Sequence, residues 1–169
     1  MIVRLEQPAD RDASIEVERA AFDTPGEASI VEAVRDDPGS FALVAHEGGE
    51  IVGHVQLSRA WVGETAVLAL GPIGVLPERQ GQGVGSALVQ AALEEAGRRD
   101  ETAVILLGAP SCYGRLGFVP ALGYGLRNPF AGVLEDGFVI EEEDFQITVL
   151  VETPAASLGG EVRWHRAFG

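Results

Sequence analysis

The run Glu78-Arg79-Gln80-Gly81-Gln82-Gly83-Val84-Gly85-Ser86 places glycines at every second position directly before a stretch whose apolar spacing predicts a helix. Bare glycines leave successive backbone N–H groups uncovered, and a helix N-terminus adds partial positive charge. Together they make a cradle for an anion, with a pyrophosphate as the natural guest. The same glycines would also suit a tight strand-to-helix connection that needs only unusual backbone angles. A dinucleotide-binding turn fits poorly. Ser86 occupies its third glycine position, and Asp100-Glu101 falls before the next expected strand rather than at that strand's far end, where a ribose-binding carboxylate belongs.

Composition removes several other chemistries. All 12 basic residues are arginine, so no lysine is present to form a Schiff base, to hold pyridoxal phosphate or to serve a P-loop. One cysteine, Cys112, allows neither an internal disulfide nor a multi-cysteine metal site. With 26 acidic residues the formal net charge is −14, which works against nonspecific binding of nucleic acid or of an anionic membrane. The N-terminal run Met1-Ile2-Val3-Arg4-Leu5-Glu6 lacks the apolar core of a signal peptide, and no stretch reaches the ~18 apolar residues of a membrane span. The expectation is a soluble, cytoplasmic protein without a metal. Its 169 residues suit one domain spanning 1–169.

The elements that would position the glycine loop follow from periodicity. Ile2 to Glu6 alternates as a strand, and Ala13, Val17, Ala20 and Ala21 then recur at helical spacing up to Phe22. A second helix carries Ile30, Val31 and Val34 and stops near Asp36-Asp37-Pro38-Gly39. Strands at Phe41–Ala45 and Ile51–Trp61 flank Glu47-Gly48-Gly49-Glu50, a hairpin turn. On the second of these strands Ile51, Val55 and Leu57 share an oily face, while His54, Gln56 and Ser58 share a polar one. Ala66–Val75 is a strand interrupted by Gly71-Pro72 and Gly74, which predicts a bulge because proline cannot donate to a ladder. A helix from about Gly83 to Arg98 follows. Ala103–Leu107 then reads as a strand covered on both faces, Ser111–Leu116 as a short helical turn, and Gly117-Phe118 leads into another strand. The last third, about 123–169, is rich in turns and has a strand near Gln146–Glu152.

On these residues the chain resembles the GNAT superfamily of N-acetyltransferases. Gln80, Gly83 and Gly85 match the family's acetyl-CoA signature, in which Arg or Gln, two residues, Gly, one residue and then Gly or Ala follow in order. Tyr113-Gly114-Arg115-Leu116-Gly117-Phe118 is similar to a later family motif with a tyrosine five residues before the phenylalanine of a Gly-Phe pair. Leu107-Gly108-Ala109-Pro110 and the ending Arg163-Trp164-His165-Arg166-Ala167-Phe168 look like the bacterial YhbS-type branch. The resemblance implies an α/β (α+β) fold with a mixed, mainly antiparallel central sheet, helices on both faces and a V-shaped acetyl-CoA cleft.

It further implies that backbone groups near Ile73 and Val75 pair with the pantetheine arm, and that Gln80, Gly81, Gln82, Gly83, Val84, Gly85 and Ser86 hold the pyrophosphate. The bulge at Gly71 to Gly74 would splay its strand from Ala103–Leu107. Tyr113 matches the tyrosine that protonates the departing CoA thiolate. The bulged strand departs from the family pattern in offering no carboxylate as base. His54 is a candidate to take the amine proton directly or through water, or else a structural histidine. Cys112 beside Tyr113 is more in keeping with a packed small side chain than with a nucleophile, since no activating group is near it in sequence. The acidic runs Glu135-Asp136 and Glu141-Glu142-Glu143-Asp144 read as solvated loops with some attraction for a cationic amine. The expected activity is acetyl-CoA-dependent acetylation of an amine on a small molecule or peptide by direct transfer in a ternary complex. A non-catalytic acyl-CoA-binding or sensory module is the alternative, and a structural subunit that dimerises through Gly123–Phe168 and binds no CoA is a third class.

Overall fold

Gly48 and Gly49 both adopt positive φ, 60° and 94°, and so turn the chain tightly between β2 (Phe41–Glu47) and β3 (Glu50–Val62). This hairpin supplies two interior strands of the sheet in our computed structural model, which describes residues 1–133, 139–151 and 158–169. β1 (Ile2–Leu5) pairs antiparallel with β2, and β4 (Thr65–Val75) pairs antiparallel with β3. β5 (Ala103–Leu107) joins β4 in parallel, and β9 (Phe145–Val149) and the two-residue β6 (Val119–Pro120) follow, giving the order β1-β2-β3-β4-β5-β9-β6. β7 (Gly132–Val133) and β8 (Val139–Ile140) make a separate small hairpin. β10 (Val162–Arg163) adds to the end of β3.

The expected bulge is present, and it opens the sheet. Val55 pairs with Ile73 and Leu57 with Leu70, so Gly71 and Pro72 together face the single residue Gln56. β4 and β5 pair only at Leu68↔Val104 and Ala69↔Ile105, below the bulge. Above it the two strands separate, as the splayed strand implied.

Each face of the sheet is closed by helix. α3 (Val84–Arg98) presents Leu88, Val89, Ala92 and Ala96 to Leu43, Val55, Leu57, Leu68 and Leu106. On the opposite face lie α1 (Arg11–Ala21) and α2 (Gly26–Val34). The geometry of two glycines shows the division. A Cβ on Gly53 would meet Leu88 and Val84 of α3, whereas one on Gly74 would meet Glu18 and Ala21 of α1. The polar face of β3 is therefore not turned to water: His54, Gln56 and Ser58 are all buried. Gln56 satisfies its amide nitrogen by donating to the carbonyls of Phe41 and Leu57.

β5 is apolar on both sides because both sides are core, Val104 and Leu106 joining the α3 cluster and Ala103 and Ile105 a second one with Phe145 and Ile147. The C-terminal segment folds back after β10, packing Trp164 among Phe130, Phe145 and Phe168 with ring centroids 5.7, 5.9 and 5.5 Å away. The strand expected near Gln146–Glu152 is β9, and Glu152 lies outside the described residues.

Candidate active site

The anion cradle is built by backbone angles that glycine alone adopts cheaply. Gly81 and Gly83 have φ of 71° and 86°, and Gly83 is the N-cap of α3. The two glutamines brace the loop: the Gln80 amide donates to the Val75 carbonyl at 3.0 Å and the Gln82 amide to the Glu78 carbonyl at 2.8 Å. A cavity of about 330 Å³ lies against this turn, bounded by Val75, Gln80, Gly81, Gly83, Val84, Gly85 and Ser86 together with Arg79 and Arg115. Gln82 is not part of its wall. Arg115 donates to Ser86 Oγ at 3.1 Å, and Arg79 pairs with Glu47 at 2.7 Å. In a chain of net charge −14, this end of the groove carries two cations.

A second cavity of about 500 Å³ shares Val75, Gln80, Gly85, Ser86 and Arg115 with the first and extends to Ile73, Phe22, Cys112 and Tyr113. A third, of about 340 Å³, shares Ile73, Phe22 and Tyr113 with the second and ends at Trp164 and Phe168. The three form one groove running from the start of α3, through the gap between β4 and β5, to the C-terminal aromatics.

Tyr113 stands at the second junction of that groove. It closes α4 (Pro110–Tyr113), and its ring meets Phe118 edge-on with centroids 6.0 Å apart and planes at 76°. It also lies so close over Gly108 that any side chain there would run into the ring. Burial, with a smaller contribution from the neighbouring Cys112, pushes the phenol above its usual value of 10.0. The hydroxyl therefore keeps its proton at neutral pH, as a proton donor must. Cys112 is exposed in the wall of the middle chamber rather than packed away.

His54 is fully enclosed and lines neither chamber that meets at Tyr113. Its Nδ1 lies 2.6 Å from Oε1 of Glu18, an equally buried carboxylate on α1, and its Nε2 lies 3.8 Å from Glu6 Oε1, beyond hydrogen-bond reach. Glu18 Oε2, directed at Gly74, has no hydrogen-bond partner. The Glu142 carboxylate accepts from the Asn128 backbone N–H and the Glu141 main-chain carbonyl from the Asn128 side-chain amide, at 2.8 Å each, and Glu135-Asp136 lies outside the described residues.

Sequence reasoning missed Arg115, Glu27, Ile30 and Trp164 as parts of this groove, and Glu18 as the partner of His54. Arg115 stood inside the tyrosine motif, but its placement over Ser86 depends on how α4 packs against α3. Among the described residues no group of three or more His, Cys, Asp or Glu converges as a metal site.

The sequence profile of the acetyltransferase (GNAT) family matches residues 6–118. The Escherichia coli (strain K12) protein described as an uncharacterised N-acetyltransferase, YhbS, is 29% identical across 99% of this chain and 98% of its own length. The crystal structure of YhbS in complex with CoA superposes with a TM-score of 0.87 at 28% identity, covering 99% of this chain and 91% of that one. A GNAT family acetyltransferase from Brucella melitensis in complex with acetyl-CoA gives a TM-score of 0.74 at 27% identity, covering 99% and 97%.

Proposed function

The chain belongs to the acetyltransferase (GNAT) family, and from that premise we propose that it transfers the acetyl group of acetyl-CoA to an amine of a small molecule or peptide, both substrates being held in the groove at once. The observation that carries this reading is the position of Tyr113, in the wall shared by the chamber that adjoins the glycine cradle and the chamber that ends at Trp164. The CoA and acetyl-CoA held by the two related structures support the assignment of the first side to the cosubstrate.

In this account the backbone N–H groups of Gly81 to Ser86 receive the pyrophosphate, with Arg79 and Arg115 supplying counter-charge. The edge of β4 at Ile73 and Val75, freed from β5 by the bulge, pairs with the pantetheine amides. The neutral amine attacks the thioester carbonyl. A C–N bond forms, the C–S bond breaks, Tyr113 gives its proton to the thiolate sulfur, and the amine nitrogen gives one up to solvent, from which the Tyr113 phenolate is reprotonated. A thiolate with a pKa near ~8.5 leaves readily even without a metal, so the acid assists departure rather than enabling it. His54, enclosed against Glu18 and lining neither chamber, is out of reach of the amine and takes no part in this transfer. Use of acetyl-CoA, a central metabolite of the cytoplasm, supports a cytoplasmic reaction as part of this reading.

Gly85 offers the test. It lies within α3 and faces the groove, and a Cβ built there sits 3.9 Å from Val75 Cγ2 without steric conflict. Gly85→Val should fold yet fill the cradle, weakening CoA binding by calorimetry at least about tenfold. Initial rates of thiol release by the wild type should give intersecting lines when both substrates are varied. Tight CoA binding without thiol release across a broad set of amines and peptides would replace the enzyme by a binding module.

A further inference from the structure

The third chamber is predominantly apolar. Its walls come from Phe22 at the end of α1, Ile30 on α2, Leu107 on β5, and Trp164 and Phe168 of the C-terminal segment, and Glu27 is the one charged residue among the described residues that line it. Glu27 sits in the first turn of α2, where Thr24 Oγ1 donates to its Oε2 at 2.9 Å and so holds the carboxylate in place. The helix N-terminus favours negative charge there. The aromatic wall is equally fixed, because Trp164 is braced by three further rings.

Resting on the acetyl-transfer reading above, we propose that the acceptor is a small monoamine whose nitrogen is carried on an aromatic or branched aliphatic body, with Glu27 as the counter-charge that receives its ammonium form. At about 340 Å³ the chamber is at the lower end of the ~300–1,000 Å³ usual for ligand pockets, so it takes one ring or a short branched chain. A diamine would place its second cation against apolar walls without a partner, and an aminosugar would leave several hydroxyls unpaired. An acidic amino acid would bring its own carboxylates to Glu27 in an already acidic molecule. The amine then reaches the thioester past Tyr113, the residue common to both chambers.

The experiment is a thiol-release assay at saturating acetyl-CoA with 2-phenylethylamine, isoamylamine, putrescine, glucosamine, aspartate and a lysine-rich peptide. The two apolar monoamines should exceed the other four in kcat/KM by ~10–100-fold. Glu27→Gln should raise KM for 2-phenylethylamine about tenfold and leave CoA affinity unchanged, and Ile30→Asp should lower kcat/KM for the same amine while sparing CoA. Equal or better turnover of a polar acceptor would overturn the inference and leave acetyl transfer standing, as would an unchanged KM in Glu27→Gln. No thiol release with any acceptor, with CoA still bound, would overturn the transfer reading and this inference with it.

Discussion

Glu18 and His54 are two titratable groups sealed between α1 and β3, and each is the other's principal polar partner. Breaking such a pair from one side leaves a buried polar group uncompensated, which typically costs about 3–5 kcal/mol. His54→Leu should therefore lower the free energy of urea unfolding by that order, and Glu18→Met combined with His54→Leu should recover most of it, because two apolar side chains of similar bulk can fill the same space. A single variant as stable as the wild type would show that the pair does not hold α1 to the sheet. Cys112 leads to the opposite expectation. It is exposed and adjoins Tyr113 in sequence, yet no histidine is among the described residues that line its chamber, so no general base stands beside it. Cys112→Ala should turn over at a rate within about twofold of wild type, and mass spectrometry after mixing with acetyl-CoA should find no acetylated cysteine.

At the scale of elements, β4 decides the architecture of the groove, and its glycines are placed by what lies against them. A Cβ on Gly74 would come 2.8 Å from Glu18 Oε2, so Gly74→Ala must displace that carboxylate from its place beside His54 and should lower Tm by several degrees. At the other end of α3, Glu95 receives Arg99 at 2.7 Å and Arg98 at 2.9 Å. The Arg99 hydrogen bond, followed by that of Arg98, holds the Glu95 carboxyl below the usual carboxylate range. Its stabilisation is present above the unfolded value of about 4.3 and is lost as pH falls through the folded one. Arg99→Gln should flatten that acid loss in urea midpoints measured from neutral to acidic pH. Much of this element layer was legible in the sequence because its signals are local. Gly48-Gly49 demanded positive φ, Gly71-Pro72 demanded an interruption of the ladder, and Gly83 marked a helix start. What stayed hidden depends on contacts between distant segments. Alternation marked the His54 face as polar but not as covered by α1, and nothing near Glu27 indicated that Trp164 would close the same chamber. In the C-terminal third only β9 was legible, since two-residue strands such as β7, β8 and β10 are too short to show a period.

For the molecule as a whole, charge and topology point along the same groove. Arg79 and Arg115 gather at the end beside the glycine loop, proposed to take the phosphates, Glu27 stands at the end proposed for the acceptor, and the whole chain carries −14. A cationic amine should be drawn in by that field, so its kcat/KM should fall as ionic strength rises from ~0.01 to ~0.1 M and the Debye length shrinks from ~30 to ~10 Å. A rate indifferent to salt would show that the net charge does not steer the acceptor. No helix among the described residues is long and apolar enough to cross a membrane. The central claim rests on the one side chain where the two halves of the groove meet, and Tyr113→Phe tests it by removing a hydroxyl and keeping the ring. With an acceptor amine at saturation, thiol release should fall by ~10²–10⁴ in kcat while calorimetric CoA affinity stays within about twofold of wild type. An unchanged kcat would contradict the account, because the proton would then reach the thiolate without the residue on which the two chambers converge.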